Sequence, residues 1–465
     1  MSTALVLGGG LAGTLAAAAL APHARSVTVL EQDVLPVLPG PRRGLPQGEF
    51  SHILLGGGAD AVEEVLPGTL DALLAAGAHY RSIPAGLLMR LGPGWLQGFD
   101  SPAYLIACSR HLLDHVVRRR LREQANVTVR ERTSVLGLVG GPGRIVGVHI
   151  ENPDGSRETL RADLVVDATG RRSRAPEWLR ALGVEGLCEE TVDAGLAYAA
   201  RVFETPGGNE GFPVVSIVPV PGRGRPGRGA TIIPIEDGRW IVTLSGTRGG
   251  EPARGEREFH DFLKALDHPV VHDLARAARP LGPIRTCHGT LNRRRRYECY
   301  EGGQLAGFAA TGDAVAALNP VYGHGMTVAA QCAAAIRAAV DSEGLHPGVS
   351  ALIQRRIARV VDTPWDMAKD QDEGFPDALS SHPATAAGPA AVFTRWYTRR
   401  VLGAALTDPA VSAAYFEVFS LAARPARLAR PAVALGALRP RRAHPPTAGQ
   451  AIARFPGVAA LAGPY

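Results

Sequence analysis

Ala4-Leu5-Val6-Leu7-Gly8-Gly9-Gly10-Leu11-Ala12-Gly13 runs directly into the alanine-rich stretch Thr14 to Leu20. Four apolar residues, a G-x-G-x-x-G turn and a helical pattern read as a buried strand entering the phosphate turn of a dinucleotide-binding βαβ unit. Gly8 permits the tight turn, Gly10 lets backbone approach a pyrophosphate, and Gly13 lets helix and strand pack. Leu11 and Ala12 fall in the first helical turn, where free N–H groups and the positive end of the helix dipole face phosphate. Ser26-Val27-Thr28-Val29-Leu30 supplies the second strand and ends in Glu31, followed by Gln32. A carboxylate there can accept hydrogen bonds from ribose hydroxyls. The apolar run Ala16 to Ala21 also fits a secretory signal, but no Lys or Arg precedes Arg25 and three glycines interrupt the run.

Composition narrows the class. With 465 residues, 46% hydrophobic and 20% charged, the chain reads as a globular protein of two joined lobes and a tail, without a spanning helix. The formal charge of +6 comes almost wholly from scattered arginines, and only Lys264 and Lys369 are lysines. The one dense run, Arg293-Arg294-Arg295-Arg296, lacks interleaved aromatics, so it predicts a solvated turn or an anion-facing loop and no nucleic-acid site. Five widely spaced cysteines without a C-x-x-C pair support neither a metal site nor a disulfide framework, and a reducing cytoplasm is the simplest home.

Further along, a proline- and glycine-rich loop, Pro36 to Pro46, carries Arg42 and Arg43 and leads to Gln47 and His52. Its length predicts a cover over a ligand, with Arg43 reaching a pyrophosphate or ribose. Helices are expected over 57–77 and from Ser109, a candidate N-cap that leaves Arg110 in the first turn. Residues 133–150 read as a hairpin or meander containing Val135.

A second fingerprint, Asp163-Leu164-Val165-Val166-Asp167-Ala168-Thr169-Gly170, is a core strand entering a tight turn, which places Asp167 beside the nucleotide crevice. From Ala175 to Tyr300 strand-like pieces alternate with glycine and proline turns and one helix near Glu256, predicting a mostly antiparallel sheet that walls a pocket. The third fingerprint is Ala310-Thr311-Gly312-Asp313, followed by Asn319-Pro320-Val321-Tyr322-Gly323-His324-Gly325-Met326 and an apolar helix. Asp313 can bond a ribityl or ribose hydroxyl, while Gly325 and Met326 offer helix N-terminal amides to an electron-rich carbonyl. From Gly348 onward the chain is helical, with Trp396, Tyr397, Tyr415, Phe416 and Phe419 read mainly as packing between helices. Arg424, Arg427 and Arg430 keep peripheral membrane contact open.

Together the three fingerprints resemble the FAD-dependent monooxygenases of the para-hydroxybenzoate-hydroxylase fold. Arg43-Gly44-Leu45-Pro46-Gln47 with His52, the loop 319–326 and the helical tail are similar to the squalene-epoxidase-like flavin epoxidases of bacterial polyether ionophore biosynthesis, the lasalocid and monensin type. His324 departs from the glutamine common in that family. The resemblance implies an α/β chain in which a Rossmann-like FAD-binding domain (1–174 and 301–345) interleaves with a β-sheet substrate domain (175–300) and ends in a helical region (346–465). It implies that Gly8, Gly10, Leu11, Ala12, Gly13, Glu31, Gln32, Arg43, Arg110, Asp167 and Asp313 hold FAD, with the Val135 backbone near the adenine. Pro320, Gly323, His324, Gly325 and Met326 would lie beside the flavin ring. It assigns no catalytic acid or base, because a flavin C4a-hydroperoxide is itself the oxygen donor and the protein positions the alkene and excludes water. NAD(P)H would supply electrons, directly or through a flavin reductase, O2 would be the co-substrate, and a long apolar polyene, free or carrier-bound, would be epoxidised. Aromatic hydroxylation, isoprenoid reduction and a non-catalytic flavin-binding role are the rivals. Halogenation lacks a W-x-W-x-I-P motif and a nearby lysine.

Overall fold

The computed structural model describes residues 2–220, 224–300, 305–382, 389–440 and 444–463. Its centre is a five-stranded parallel sheet in the order Phe308–Ala310, Leu164–Asp167, Thr3–Leu7, Ser26–Leu30, Val127–Arg130. Near-continuous burial of Ala4 to Leu7 and Leu164 to Asp167 is what a parallel sheet covered on both faces requires. Helices Leu11–Leu20, Arg110–Arg122 and Gly325–Glu343, together with Leu138, Ile145, Val148 and Ile150 of an antiparallel meander, supply the cover. Because the strands run parallel, Leu7, Leu30, Asp167 and Ala310 end on one edge, and each fingerprint turn follows one of them. That edge is where open α/β sheets bind ligands. The segment after Val127–Arg130 is a three-stranded antiparallel meander, Ser134–Gly141, Arg144–Glu151 and Arg157–Arg161.

The second layer is a seven-stranded sheet in the order Arg279–Cys287, Ala197–Glu204, Arg239–Gly246, Arg228–Ile235, Val214–Ile217, Leu87–Leu91, Gly94–Trp95. All its pairings are antiparallel except Val214–Ile217 with Leu87–Leu91. The last two strands come from before residue 174, so the sheet draws on both stretches of chain. Strand alternation separates its faces. Ala199, Phe203, Trp240 and Val242 pack under helices Glu256–Lys264 and Val270–Ala277, the second of which the sequence reading lacked. Tyr198, Ala200 and Ile241 face the other way, toward Phe50, Leu55 and the tail residues Leu406 and Phe416.

The arginine run departs from its expectation. Asn292–Arg295 is a strand of a four-stranded sheet, paired with Glu189–Asp193, and it is largely buried. Arg294 is fully buried and bonds Glu298 at 2.7 Å and Asp362 at 3.2 Å. Arg295 meets Glu189 at 2.8 Å and Arg296 meets Glu190 at 2.6 Å. Glu298 nearby and Glu189, Glu190 and Asp362 from distant segments neutralise the run, so no solvated turn or free anion loop forms.

The tail comprises the long helix Val349–Asp372, then Pro389–Ala405, Pro409–Phe419, Pro431–Leu438, Ala448–Ala453 and Pro456–Ala462. Tyr415, Phe416 and Phe419 pack as predicted, whereas Trp396 is exposed. Among the described residues no helix is long and apolar enough to cross a membrane.

Candidate functional site

The glycine turn is built by close contacts that leave no room for side chains. Gly8 adopts φ +95°, in the left-handed region, and a Cβ on it would meet the Ala168 carbonyl oxygen at 2.8 Å. A Cβ on Gly13 would fall 1.9 Å from the Gly8 oxygen, so any larger residue pushes the helix off the strand. The first intrahelical bond runs from Thr14 N to Gly10 O at 2.8 Å, which leaves the Leu11, Ala12 and Gly13 amides without a partner among the described residues. Glu31 is buried and reaches back into this turn: Oε2 accepts from Gly9 N at 2.7 Å and from Arg42 Nη1 at 3.1 Å, and Oε1 accepts from Asp33 N at 2.9 Å.

Of the two neighbouring arginines it is Arg42 that enters. Its side chain is buried, its Nη2 would touch a Cβ on Gly10 at 3.5 Å, and its Nε is buried without a hydrogen-bond partner. Arg43 and Gln32 are exposed. Free helix amides, bare glycine backbone and an unsatisfied guanidinium N–H form an anion cradle, and they fit the pyrophosphate of FAD.

Asp313 follows Phe308–Ala310 in a single helical turn. Burial pushes its carboxyl above the usual range, opposed by the Arg171 and Arg110 charges, and it accepts no hydrogen bond from the described residues. An acceptor in that state fits a cofactor hydroxyl. Ser109 caps the next helix, accepting Leu112 N at 3.1 Å, and buried Arg110 is fixed by Asp114 at 2.7 Å. Asp167 is committed to its own turn, accepting Thr169 N at 3.0 Å, Thr169 Oγ1 at 2.6 Å and the Ser173 hydroxyl. Burial holds that carboxyl above its ordinary range. Val135 pairs with Ile150 in the meander, two residues after Thr133, whose N–H bonds the Glu31 carbonyl at 2.9 Å. His52 is held neutral, pushed down to about 4 chiefly by burial and next by Arg110.

The third turn is the most heavily fixed. Pro320–Tyr322 form one helical turn, Gly323 at φ +70° reverses the chain, and His324 leads into helix Gly325–Glu343. The first bond of that helix is Val328 N to His324 O at 2.9 Å, so the Gly325, Met326 and Thr327 amides have no partner among the described residues. A Cβ on Gly325 would meet nothing within 4 Å. Three ties hold the turn. The Tyr198 hydroxyl accepts Val321 N at 2.8 Å. His324 Nε2 donates to the Phe419 carbonyl at 2.9 Å, and burial pushes that imidazole down to about 4. Asp372, at the end of Val349–Asp372, accepts the Asn292 amide at 2.6 Å, the Asn319 amide and the Tyr322 hydroxyl. Burial pushes Asp372 up to about 6 against the pull of those three donors. Sequence reasoning missed Arg42's role, Tyr198, Asn292 and Asp372. Among the described residues no cluster of three or more His, Cys, Asp or Glu could hold a metal ion.

Residues 77–197 match the FAD binding domain family, a stretch that includes the Arg110 helix and the Asp167 turn. Protein Rv3254 of Mycobacterium tuberculosis (strain ATCC 25618 / H37Rv) is 31% identical over 444 residues, covering 90% of this chain and 89% of its own. The chain belongs to the family of Protein Rv3254. Among solved structures, the flavin-dependent brominase Bmp2 superposes with a TM-score of 0.62 at 15% identity, over 90% of this chain and 93% of its own. The tetrameric form of 2-methyl-3-hydroxypyridine-5-carboxylic acid oxygenase gives 0.58 at 17%, over 80% and 90%. The Rv3254 relative thus has the fold of flavin-dependent monooxygenases and halogenases: an FAD-binding α/β domain, a large mixed sheet and C-terminal helices.

Proposed function

We propose that this chain is an FAD-dependent monooxygenase that transfers one oxygen atom from O2 to an apolar substrate, epoxidising alkenes of a linear polyene of the polyketide class. NAD(P)H would supply the electrons, directly or through a flavin reductase. The observation that carries this reading is the apolar wall packed against the 319–325 loop. Val321 and Ile53 meet Phe50 and the inner sheet face there, and Leu402, Tyr415 and Phe419 close it from the tail. Such a wall holds a hydrocarbon and excludes water.

When bound, FAD supplies two-electron redox chemistry and oxygen transfer. The protein's own groups bind and orient. The Leu11 to Gly13 amides and Arg42 hold the pyrophosphate, and Asp313 accepts a ribityl hydroxyl. The Gly325 and Met326 amides would offer positive dipole to an electron-rich carbonyl of the reduced cofactor. His324 and Asp372 keep that loop in place. Halogenation is disfavoured because both lysines are engaged by carboxylates, Lys264 by Asp261 at 3.5 Å and Lys369 by Glu190 at 3.9 Å.

Aromatic-ring hydroxylation is the second reading, favoured by Tyr198. Its hydroxyl accepts from Val321 and keeps a proton to donate, and burial raises it well above its ordinary value. A phenolic oxygen could take that proton as a hydrogen bond. Incubating FAD-loaded protein with a reductase and 18O2 separates the readings. Epoxides gaining one labelled oxygen per alkene support the first, labelled phenols the second, and hydrogen peroxide alone across both panels counts against either.

A further inference from the structure

Helix Pro389–Ala405 carries an exposed stretch. From Val392 to Trp396 every residue is exposed, and Phe393 and Trp396 are 61% and 47% exposed with their rings 5.6 Å apart. Val401, Ala404 and Ala405 at the other end of the same helix are buried against helices Pro409–Phe419 and Pro431–Leu438. Helix Pro431–Leu438 adds a second outward pair, Leu435 and Leu438. Arg400 joins the two by donating to the Ala437 and Leu438 carbonyls at 3.1 and 3.0 Å. Monomer surfaces carry isolated apolar residues routinely, but large aromatics exposed in succession mark an interaction surface.

Charge identifies the partner. Residues 389–440 carry seven arginines against two carboxylates, so a net +5 of the whole chain's +6 sits on 52 residues. Both carboxylates are engaged: Asp408 caps helix Pro409–Phe419 through the Ala410 and Val411 amides, and Glu417 pairs with Arg427 at 2.7 Å. Arg395, Arg399, Arg424, Arg430 and Arg439 are exposed. Phe393 and Trp396 on one helix and Leu435 and Leu438 on its neighbour are exposed apolar side chains, which suit a deformable apolar medium. Arginines flanking Trp and Phe are the side chains that settle at a bilayer interface, where the rings enter the acyl boundary and the guanidinium groups meet phosphate.

We propose that the exposed stretch Val392–Trp396 of helix Pro389–Ala405, with Leu435 and Leu438 of Pro431–Leu438, docks on an anionic lipid surface. The same helix continues into the apolar cluster through Leu402. Docking there would place lipid at the same helix that reaches that cluster. The proposal rests on this surface alone and stands or falls separately from the chemistry proposed above.

Trp396 provides the test, because Trp95, Trp178, Trp240 and Trp365 are all buried. The full chain is mixed with vesicles of phosphatidylcholine containing phosphatidylglycerol, with phosphatidylcholine vesicles, and with soluble polyglutamate. Brominated acyl chains serve as quenchers. The expected result is a blue shift and quenching of Trp396 with the anionic vesicles, weakened by salt. Arg395→Gln with Arg399→Gln should lower vesicle partitioning by about thirtyfold. Phe393→Ser with Trp396→Ser, read by co-sedimentation, should lower it at least as far. No response to anionic vesicles, or variants that sediment like the wild type, would overturn the proposal. A Trp396 response to polyglutamate but not to vesicles would assign the surface to an acidic protein and overturn it equally.

Discussion

Asp372 and Tyr322 are hydrogen-bonded in the interior, tying the last turn of helix Val349–Asp372 to the turn that precedes helix Gly325–Glu343. The same carboxyl takes the Asn292 and Asn319 amides, so one residue of the helical tail fixes the loop, its neighbouring strand and the start of the cofactor-facing helix.

Asp372→Asn tests that junction. The carboxyl is raised from its ordinary 3.8 to about 6 by burial, so the fold favours its neutral form. A raised acid contributes stability that is full below 3.8 and is lost as pH rises through about 6. The substituted amide cannot ionise, so thermal melts of the variant should lack the decline across that interval. If wild type and variant keep the same pH profile, the carboxyl does not titrate there.

His324 has the opposite sign. Its folded value of about 4 lies below the ordinary 6.5, so its contribution is full above 6.5 and is lost as pH falls toward 4. His324→Gln keeps a donor for the Phe419 carbonyl and should flatten the acid side of the stability curve. His324→Ala should cost about 1–3 kcal/mol by leaving that carbonyl unpaired. Denaturant titrations at two pH values check both outcomes.

Arg42→Ala should weaken FAD binding by about 2 kcal/mol, roughly thirtyfold in Kd. Arg43→Ala, on the exposed neighbour, should leave Kd within about twofold, since surface substitutions change little. Fluorescence titration of the apoprotein with FAD distinguishes them, and an equal loss from both would refute the placement of Arg42.

Legibility in the sequence followed distance along the chain. The Gly8, Gly10 and Gly13 turn, the Ser109 cap and the strand into Asp167 are local devices, and each appears where its residues place it. Glu31 was legible as the end of the second strand, but its bond to Gly9 depends on how two turns abut. Arg42 and Arg43 are chemically identical in sequence, and only the path of the loop decides which is buried. The arginine run misled because, apart from Glu298, its partners Glu189, Glu190 and Asp362 lie far along the chain, and charge neutralised across a sheet leaves little local signature. Asp372 gave no signal at all, being one acidic residue among several on a helix whose partners come from two other segments. The exposed Trp396 was indistinguishable from the packed Phe416 for the same reason.

Removing Arg294 should be costly. Arg294→Ala leaves the mostly buried Glu298 with Arg296 alone at 3.7 Å and should destabilise the fold by about 3 kcal/mol, the low end for a broken buried pair because Asp362 is half-exposed. A urea midpoint unchanged from wild type would show that the pairs contribute nothing.

Equilibrium dialysis of the purified chain against FAD, with the Asp313→Ala variant beside it, bears most directly on the convergence of the three turns on one cofactor. The expected result is one FAD per wild-type chain and a Kd raised in the variant by an amount equivalent to about 1–3 kcal/mol. A wild-type chain that takes up no flavin, or a variant that binds it as tightly, would contradict the account.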